Sequence, residues 1–188
     1  MRIITGKAKG IKLLTLEGND TRPTAEMTKE AVFSMLQFDI EGRVVLDLFS
    51  GSGQIGLEAL SRGAKEAIMI DSSKKAIEII RKNAEKTRLS ENSKIICEDS
   101  LSFLKKQTGK ALYDIVFLDP PYASSLISDS LELLSKKGLL KPLSYVVCEG
   151  QGFGVLPESC RDDYEVIKEV KHGIAHVTVL RYVGEVKE

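Results

Sequence analysis

Tryptophan is absent, histidine occurs only at His172 and His176, and cysteine only at Cys97, Cys148 and Cys160. The cysteines are odd in number and far apart, and with so few histidines no metal site is expected. Cys97 and Cys148 lie in apolar runs and read as buried small hydrophobes. Long apolar runs are missing too. Nothing approaches membrane length, and the N-terminus shows no signal-peptide stretch, which makes the cytoplasm the expected location. Nor is there an excess of either charge: Lys and Arg number 27, Asp and Glu 27, and the net charge is zero. That argues against a generic polyanion binder, so any nucleic-acid contact has to come from local charge. What is present is ordinary for a soluble globular chain: 188 residues, 43% hydrophobic and 29% charged. The length suits one domain with a sizeable core, and no internal repeat or low-complexity segment interrupts it.

One stretch organises the rest. The apolar run Val44-Val45-Leu46 feeds into Asp47-Leu48-Phe49-Ser50-Gly51-Ser52-Gly53-Gln54-Ile55-Gly56, and a helical pattern through Leu60 leaves it. This reads as strand, Gly-rich turn, helix. Glycines let the backbone turn tightly and approach a ligand, and the helix N-terminus offers free N–H groups. The pattern G-x-G-x-x-G is weak alone. It gains weight from Asp71, which follows Gly51 by 20 residues and closes the next apolar run. An acid there can accept hydrogen bonds from both ribose hydroxyls. The expectation is a nucleoside-containing cofactor at the C-terminal edge of a parallel sheet. The alternative is a tight turn that only packs a helix on a strand.

A second motif, Asp119-Pro120-Pro121-Tyr122, directly follows the apolar run Ile115-Val116-Phe117-Leu118. Two prolines remove two backbone donors and fix the chain as it leaves a strand. The Pro120 carbonyl is left without a ladder partner, the Asp119 carboxylate sits beside it, and an aromatic ring follows. Two acceptors and a stacking face suit a planar base carrying an exocyclic amine. The alternative is a rigid strand exit with a partly buried tyrosine.

Along the chain, residues 1–16 alternate around Gly6 and Gly10, which predicts a short hairpin. Positive charge is dense here: Arg2, Lys7, Lys9 and Lys12 precede the first acid, Glu17. They are either a nucleic-acid contact or a solvated sheet edge protected by lysines. Arg22, held extended beside Pro23, could approach an anion or a nucleic-acid backbone, or could simply pair with an acid. Thr24 is a good N-cap for a helix to about Phe38, with Ala31, Val32, Met35 and Leu36 inward. Strands are predicted at 44–49, 67–70, 94–97, 114–118 and 145–148, alternating with helices at 54–62, 74–86, 101–106 and 124–135. Asp99 is placed to accept from an adenine amino group, though Asp99 or Ser100 could instead cap the following helix. Residues 149–159 read as a Gly- and Pro-rich loop. Runs 164–170 and 175–182, joined through Lys171-His172-Gly173, read as a hairpin that ends the sheet antiparallel. The βα alternation predicts a mostly parallel sheet with helices on both faces. Ligands in such sheets sit beyond the strand C-terminal ends, where the Gly turn, Asp71, Asp99 and Asp119 all fall, so one cleft is expected.

Asp47 to Gly53, Asp71, Asp99 and Asp119-Pro120-Pro121-Tyr122, in that order, resemble the motifs of S-adenosylmethionine-dependent amino-methyltransferases. Arg2-Ile3-Ile4, Gly6, Gly10 and Thr21-Arg22-Pro23-Thr24 narrow the resemblance to the RsmD-type methyltransferases of 16S ribosomal RNA, which act on a guanine N2. The resemblance covers nearly the whole chain. Asp71 stands where a glutamate is usual, and Gln54 where a small or apolar residue is usual. The resemblance implies a Rossmann-like class I methyltransferase fold: seven strands, an antiparallel C-terminal hairpin and a short N-terminal β-hairpin extension. It implies one domain over 1–188, with the basic extension at 1–20 and the catalytic core at 24–183. Asp47, Phe49, Gly51, Ser52 and Gly53 would line the cofactor, Asp71 its ribose, and Asp99 with Ser100 its adenine. Asp119 and Pro120 would hold the base and Tyr122 would stack on it. Arg2, Lys7, Lys9, Lys12 and Arg22 would meet RNA within a partly assembled small subunit. Three rival readings remain: a nicotinamide-dependent oxidoreductase, a non-catalytic RNA-binding assembly factor, and an adenine-N6 methyltransferase on DNA or RNA.

Overall fold

Three apolar runs become the parallel strands β1 (Val44–Asp47), β2 (Glu66–Asp71) and β3 (Ser93–Cys97). Val45, Leu46, Ala67, Met69 and Ile70 are fully buried, as in a parallel sheet covered on both faces. A computed structural model of the protein describes residues 1–16, 23–121, 125–173 and 175–185, and their side chains except at 23–28 and 172. The chain divides into two compact units, Met1–Glu98 and Asp99–Glu188.

In the first unit the helices are α1 (Pro23–Met35), α2 (Gln54–Ser61) and α3 (Lys74–Thr87). α3 turns Ala76, Ile77 and Ile80 inward, as the 3.6-residue period predicts. The Ser73 hydroxyl caps it, accepting from the Ala76 N–H at 3.4 Å. In the second unit, α4 (Ser100–Lys106), the fully buried β4 (Tyr113–Leu118) and α5 (Leu126–Lys136) lead to β5 (Leu140–Gly150). β4 and β5 are parallel, with Phe117 opposite Val147 and Leu118 opposite Cys148. β6 (Tyr164–His172) and β7 (Ala175–Tyr182) form the expected hairpin, and β7 runs antiparallel to both β5 and β6. The strand order is β3-β2-β1-β4-β5-β7-β6 in one seven-stranded sheet. No helix among the described residues is long and apolar enough to cross a membrane.

Four expectations are corrected. Cys97 is exposed, because β3 is only partly covered. α1 starts at Pro23, ahead of the predicted cap Thr24, and ends at Met35 rather than Phe38; proline suits the first helical turn, where its missing N–H costs nothing. Its inward residues are Val32 and Phe33, followed by Leu36, while Ala31 is exposed and Phe38 is 90% exposed. β5 begins five residues before the predicted Tyr145, running through Pro142 and through Leu143 at φ +61°. Its register against β4 shifts between Tyr113 and Ile115, which absorbs that irregularity. The predicted 149–159 loop also loses both ends, to β5 and to a 3₁₀ turn at Glu158–Asp163.

The N-terminal hairpin is present, with Arg2 bridged to Lys12 and the Ile3 N–H donating to Ile11 at 3.0 Å. It is also docked on α2. Glu58 of α2 is only 1% exposed. Its carboxylate accepts from the Ile4 N–H at 2.7 Å, the Thr5 N–H at 3.0 Å and Arg62 Nε at 2.7 Å. The Arg62 guanidinium in turn lies 4.9 Å from the Phe33 ring centroid. The Lys7 N–H donates to the Ser61 carbonyl at 2.8 Å, and at Gly6 a Cβ would sit 1.8 Å from that same oxygen. Only glycine allows this approach. Asn83 of α3 fastens the far end, accepting from the Leu14 N–H at 2.8 Å and donating to its carbonyl at 3.0 Å.

Glu58→Ala should cost about 3–5 kcal/mol, the range for breaking a buried ion pair from one side. Urea unfolding measures it, and amide exchange at Ile4 and Thr5 should accelerate in step. A loss below about 1 kcal/mol, the range of an exposed pair, would show that the hairpin docks by its apolar residues alone.

Candidate active site

In the first unit, β1 delivers a buried Asp47 whose Oδ2 accepts from the Gly56 N–H at 3.3 Å. The turn closes on itself: Ser50 Oγ donates to the Asp47 carbonyl at 2.8 Å and the Gly53 N–H to the Ser50 carbonyl at 2.7 Å. Asp71 then ties the exit of β1 to the exit of β2. Its Oδ2 accepts from the Gly51 N–H at 2.9 Å and its Oδ1 from the Ser73 N–H at 2.8 Å. Each carboxylate oxygen keeps a further lone pair for a ligand hydroxyl. The three motif glycines differ in role. A Cβ on Gly53 would meet Ile80 at 2.9 Å and one on Gly56 would meet Met69 at 2.6 Å, so these two serve packing. Gly51, at φ +54°, has no atom within 4 Å of where its Cβ would be. It alone fronts open space.

Phe49 is half-buried, and Ser52 is buried with its hydroxyl donating to Met1 Sδ at 3.1 Å. Gln54 is buried and its Oε1 accepts from Lys29 Nζ at 3.1 Å, an α1 residue that carries no motif signal. These residues come together around one turn.

In the second unit, Asp99 is the N-cap of α4: its Oδ1 accepts from the Ser102 N–H at 2.8 Å. That bond, with the Ser102 hydroxyl, holds the Asp99 carboxyl below its ordinary value. Ser100 is buried behind it. Asp119 leaves β4 half-buried, Pro120 is buried and Pro121 exposed. Tyr122 lies outside the described residues. The two prolines line a cleft of about 360 Å³ together with Ile127, Glu149, Phe153 and Leu156. Phe153 is 47% exposed and stands edge-on to the His176 ring, with centroids 4.6 Å apart. Glu149 and Phe153 were not predicted. A signal existed for Glu149, which directly follows a buried apolar run just as Asp71 and Asp119 do.

Arg2, Lys7, Lys9 and Lys12 are all exposed on the docked hairpin, and among the described residues none pairs with an acid. Arg22 lies outside the described residues.

The family described as Conserved hypothetical protein 95 matches residues 1–181. The chain is 36% identical to the Ribosomal RNA small subunit methyltransferase D of Haemophilus influenzae over 177 residues, 93% of this chain and 90% of that one. It is 34% identical to the YlbH protein of Bacillus subtilis over 188 residues, 98% of this chain and 100% of that one. The solved structure of yhhF from Escherichia coli superposes with a TM-score of 0.86 at 29% identity, covering 98% of this chain and 99% of that chain.

The Asp99 cap has a pH signature. Its folded pKa is lowered, so its contribution is complete above the ordinary value of 3.8 and is lost as pH falls through the folded value. Asp99→Ala should therefore cost about 1 kcal/mol at neutral pH, and the gap from wild type should shrink on acidification. Asp99→Asn should keep the cap without the pH dependence. Urea midpoints for the three proteins at pH 7 and pH 3 measure this; a gap constant with pH would contradict the assignment.

Proposed function

The chain belongs to the Conserved hypothetical protein 95 (RsmD) family and has the class I methyltransferase fold, and from that premise we propose that it methylates the exocyclic N2 of a guanine in 16S ribosomal RNA, using S-adenosylmethionine. The observation that carries the reading is the exit of β4, where Asp119 and Pro120 lead from a buried strand to the wall of a cleft of base-accepting size. A nicotinamide enzyme has no use for that exit, and a non-catalytic assembly factor has no need of it.

The residues present fit the cofactor. Gly51 fronts space that any Cβ would enter, and Asp71 stands beside it with lone pairs to spare for a ribose. Gly51 would face it, with Asp47, Phe49, Ser52 and Gly53 shaping the turn that holds it, and Asp99 and Ser100 toward the adenine. When bound, it supplies an electrophilic methyl group on a sulfonium. The guanine amine is conjugated with its ring and is a poor nucleophile. Asp119 and the Pro120 carbonyl would accept its two N–H bonds and so aim the nitrogen lone pair. Placement does much of the catalysis, and the Asp119 charge stabilises a nitrogen turning positive. Asp119 or water then takes the proton. Tyr122 is given base stacking from the motif alone, and the base leaves its helix or loop to enter. We read the two units as one catalytic domain over 24–183, with 1–20 as its RNA-facing extension. The work is assigned to the cytoplasm, on a partly assembled small subunit.

A strain lacking the protein should lose one N2-methylguanine from its 16S RNA, and Asp119→Ala should fail to restore it. In vitro, Asp119→Ala should keep adenosylmethionine affinity close to wild type, whereas Asp71→Ala should weaken it first. Mass mapping and calorimetry are the measurements. Full activity of the Asp119 variant, or binding of NAD in place of adenosylmethionine, would end this reading.

RNA affinity is assigned to Arg2, Lys7, Lys9 and Lys12, contacting phosphates beside the target. Four such contacts contribute at most about 3 log units of affinity per log unit of salt, from roughly 0.7 per charge on single strands. Naked RNA should thus be a weak substrate. Changing all four to Ala should flatten the salt dependence of methylation and leave adenosylmethionine affinity untouched. An unchanged slope would show that the arm is only a protected edge.

A further inference from the structure

Holding an amine does not by itself select a base, because adenine and guanine both carry one. The β4–β5 register places a second acid where that selection can be made. Leu118 is opposite Cys148 in the parallel ladder. The next residues, Asp119 just past the end of β4 and Glu149 near the end of β5, therefore stand at the same level on neighbouring chains, roughly 4.8 Å apart along the hydrogen-bonding direction. Glu149 lines the same cleft as Pro120 and Pro121, and it is half-buried there. An ionised carboxylate only accepts hydrogen bonds. Guanine presents two adjacent donors, N1–H and the N2 amine. Adenine presents a bare lone pair at N1, and a carboxylate facing it would be repelled.

We propose that Glu149 is the residue that selects guanine, accepting the N1–H while Asp119 and the Pro120 carbonyl accept from the amine. This rests on the guanine-N2 reading above. Three acceptors then face three donor hydrogens. Sites built to accept from a donor reject analogues lacking it far more strongly than apolar pockets reject a wrong shape, because the acceptor then faces a lone pair where a hydrogen should be. Phe153 lines the same cleft and adds an aromatic surface to it.

The test uses single-turnover methyl transfer to RNA hairpins carrying guanine, 2-aminopurine or adenine at the mapped target position. 2-Aminopurine keeps the N2 amine but has no N1–H. Wild type should prefer guanine over 2-aminopurine by about 10²-fold or more. In Glu149→Gln the amide can turn an N–H toward the bare N1, so the preference should fall at least about tenfold, partly through faster reaction of 2-aminopurine. Intrinsic reactivity of the two bases cancels in this comparison, since both enzymes meet the same pair. Glu149→Ala gives a second reading: preference lost, with no gain for 2-aminopurine. A preference unchanged in both variants, with wild type active on guanine, overturns the role of Glu149 alone. Wild-type transfer to adenine RNA and to neither of the others overturns the guanine reading and this inference together.

Discussion

A buried carboxylate in α2 holds the first unit in place. Glu58 is taken out of water, and an acid so placed costs several kcal/mol unless its lone pairs are used. Here two hairpin N–H groups and Arg62 use them. Arg62 then rests on Phe33 of α1, so one charge couples the hairpin, α2 and α1. All eight residues of α2 are buried, which means the hairpin covers a face that would otherwise meet solvent. The basic arm is thus anchored in the core through Ile3, Ala8 and Leu13, with its four charges outside. α2 begins at the glycine turn, so the hairpin fixes that turn from behind.

From there the chemistry is a matter of acids at strand ends. Asp71 follows a buried run in the first unit, and Asp119 and Glu149 follow buried runs in the second. A parallel ladder delivers neighbouring strand ends side by side, and the N–H groups released there are what such acids can bind first. Asp71 does so, accepting from Gly51 and Ser73. The bonds make a rigid frame while leaving lone pairs for a ligand. Asp99 shows the same double capacity at a helix start, capping α4 through one oxygen.

Net neutrality agrees with this division of labour. A chain with no overall charge gains little from long-range attraction to RNA, and the four exposed cations of the hairpin act only over about a Debye length, roughly 8–10 Å. In the proposed function, selectivity then falls to short-range acceptors and to shape.

Much of this was legible in the sequence because it is local. The strand and helix types, the glycine turn, Asp71 at its spacing and the Asp119-Pro120-Pro121 exit are each written within a few residues, through hydrophobic period, missing N–H groups and positive φ. Other features were not. The exposure of Cys97 depends on how little covers β3, and the burial of Phe33 depends on Arg62 lying across it. Pro142 reads as a strand breaker, yet β5 passes through it because the ladder to β4 shifts there. Glu149 shows the limit most plainly. In the sequence it is the first residue of a loop rich in glycine and proline. The fold sets it level with Asp119, and that is decided by the pairing of β4 with β5, a register between residues 30 apart that no short stretch contains.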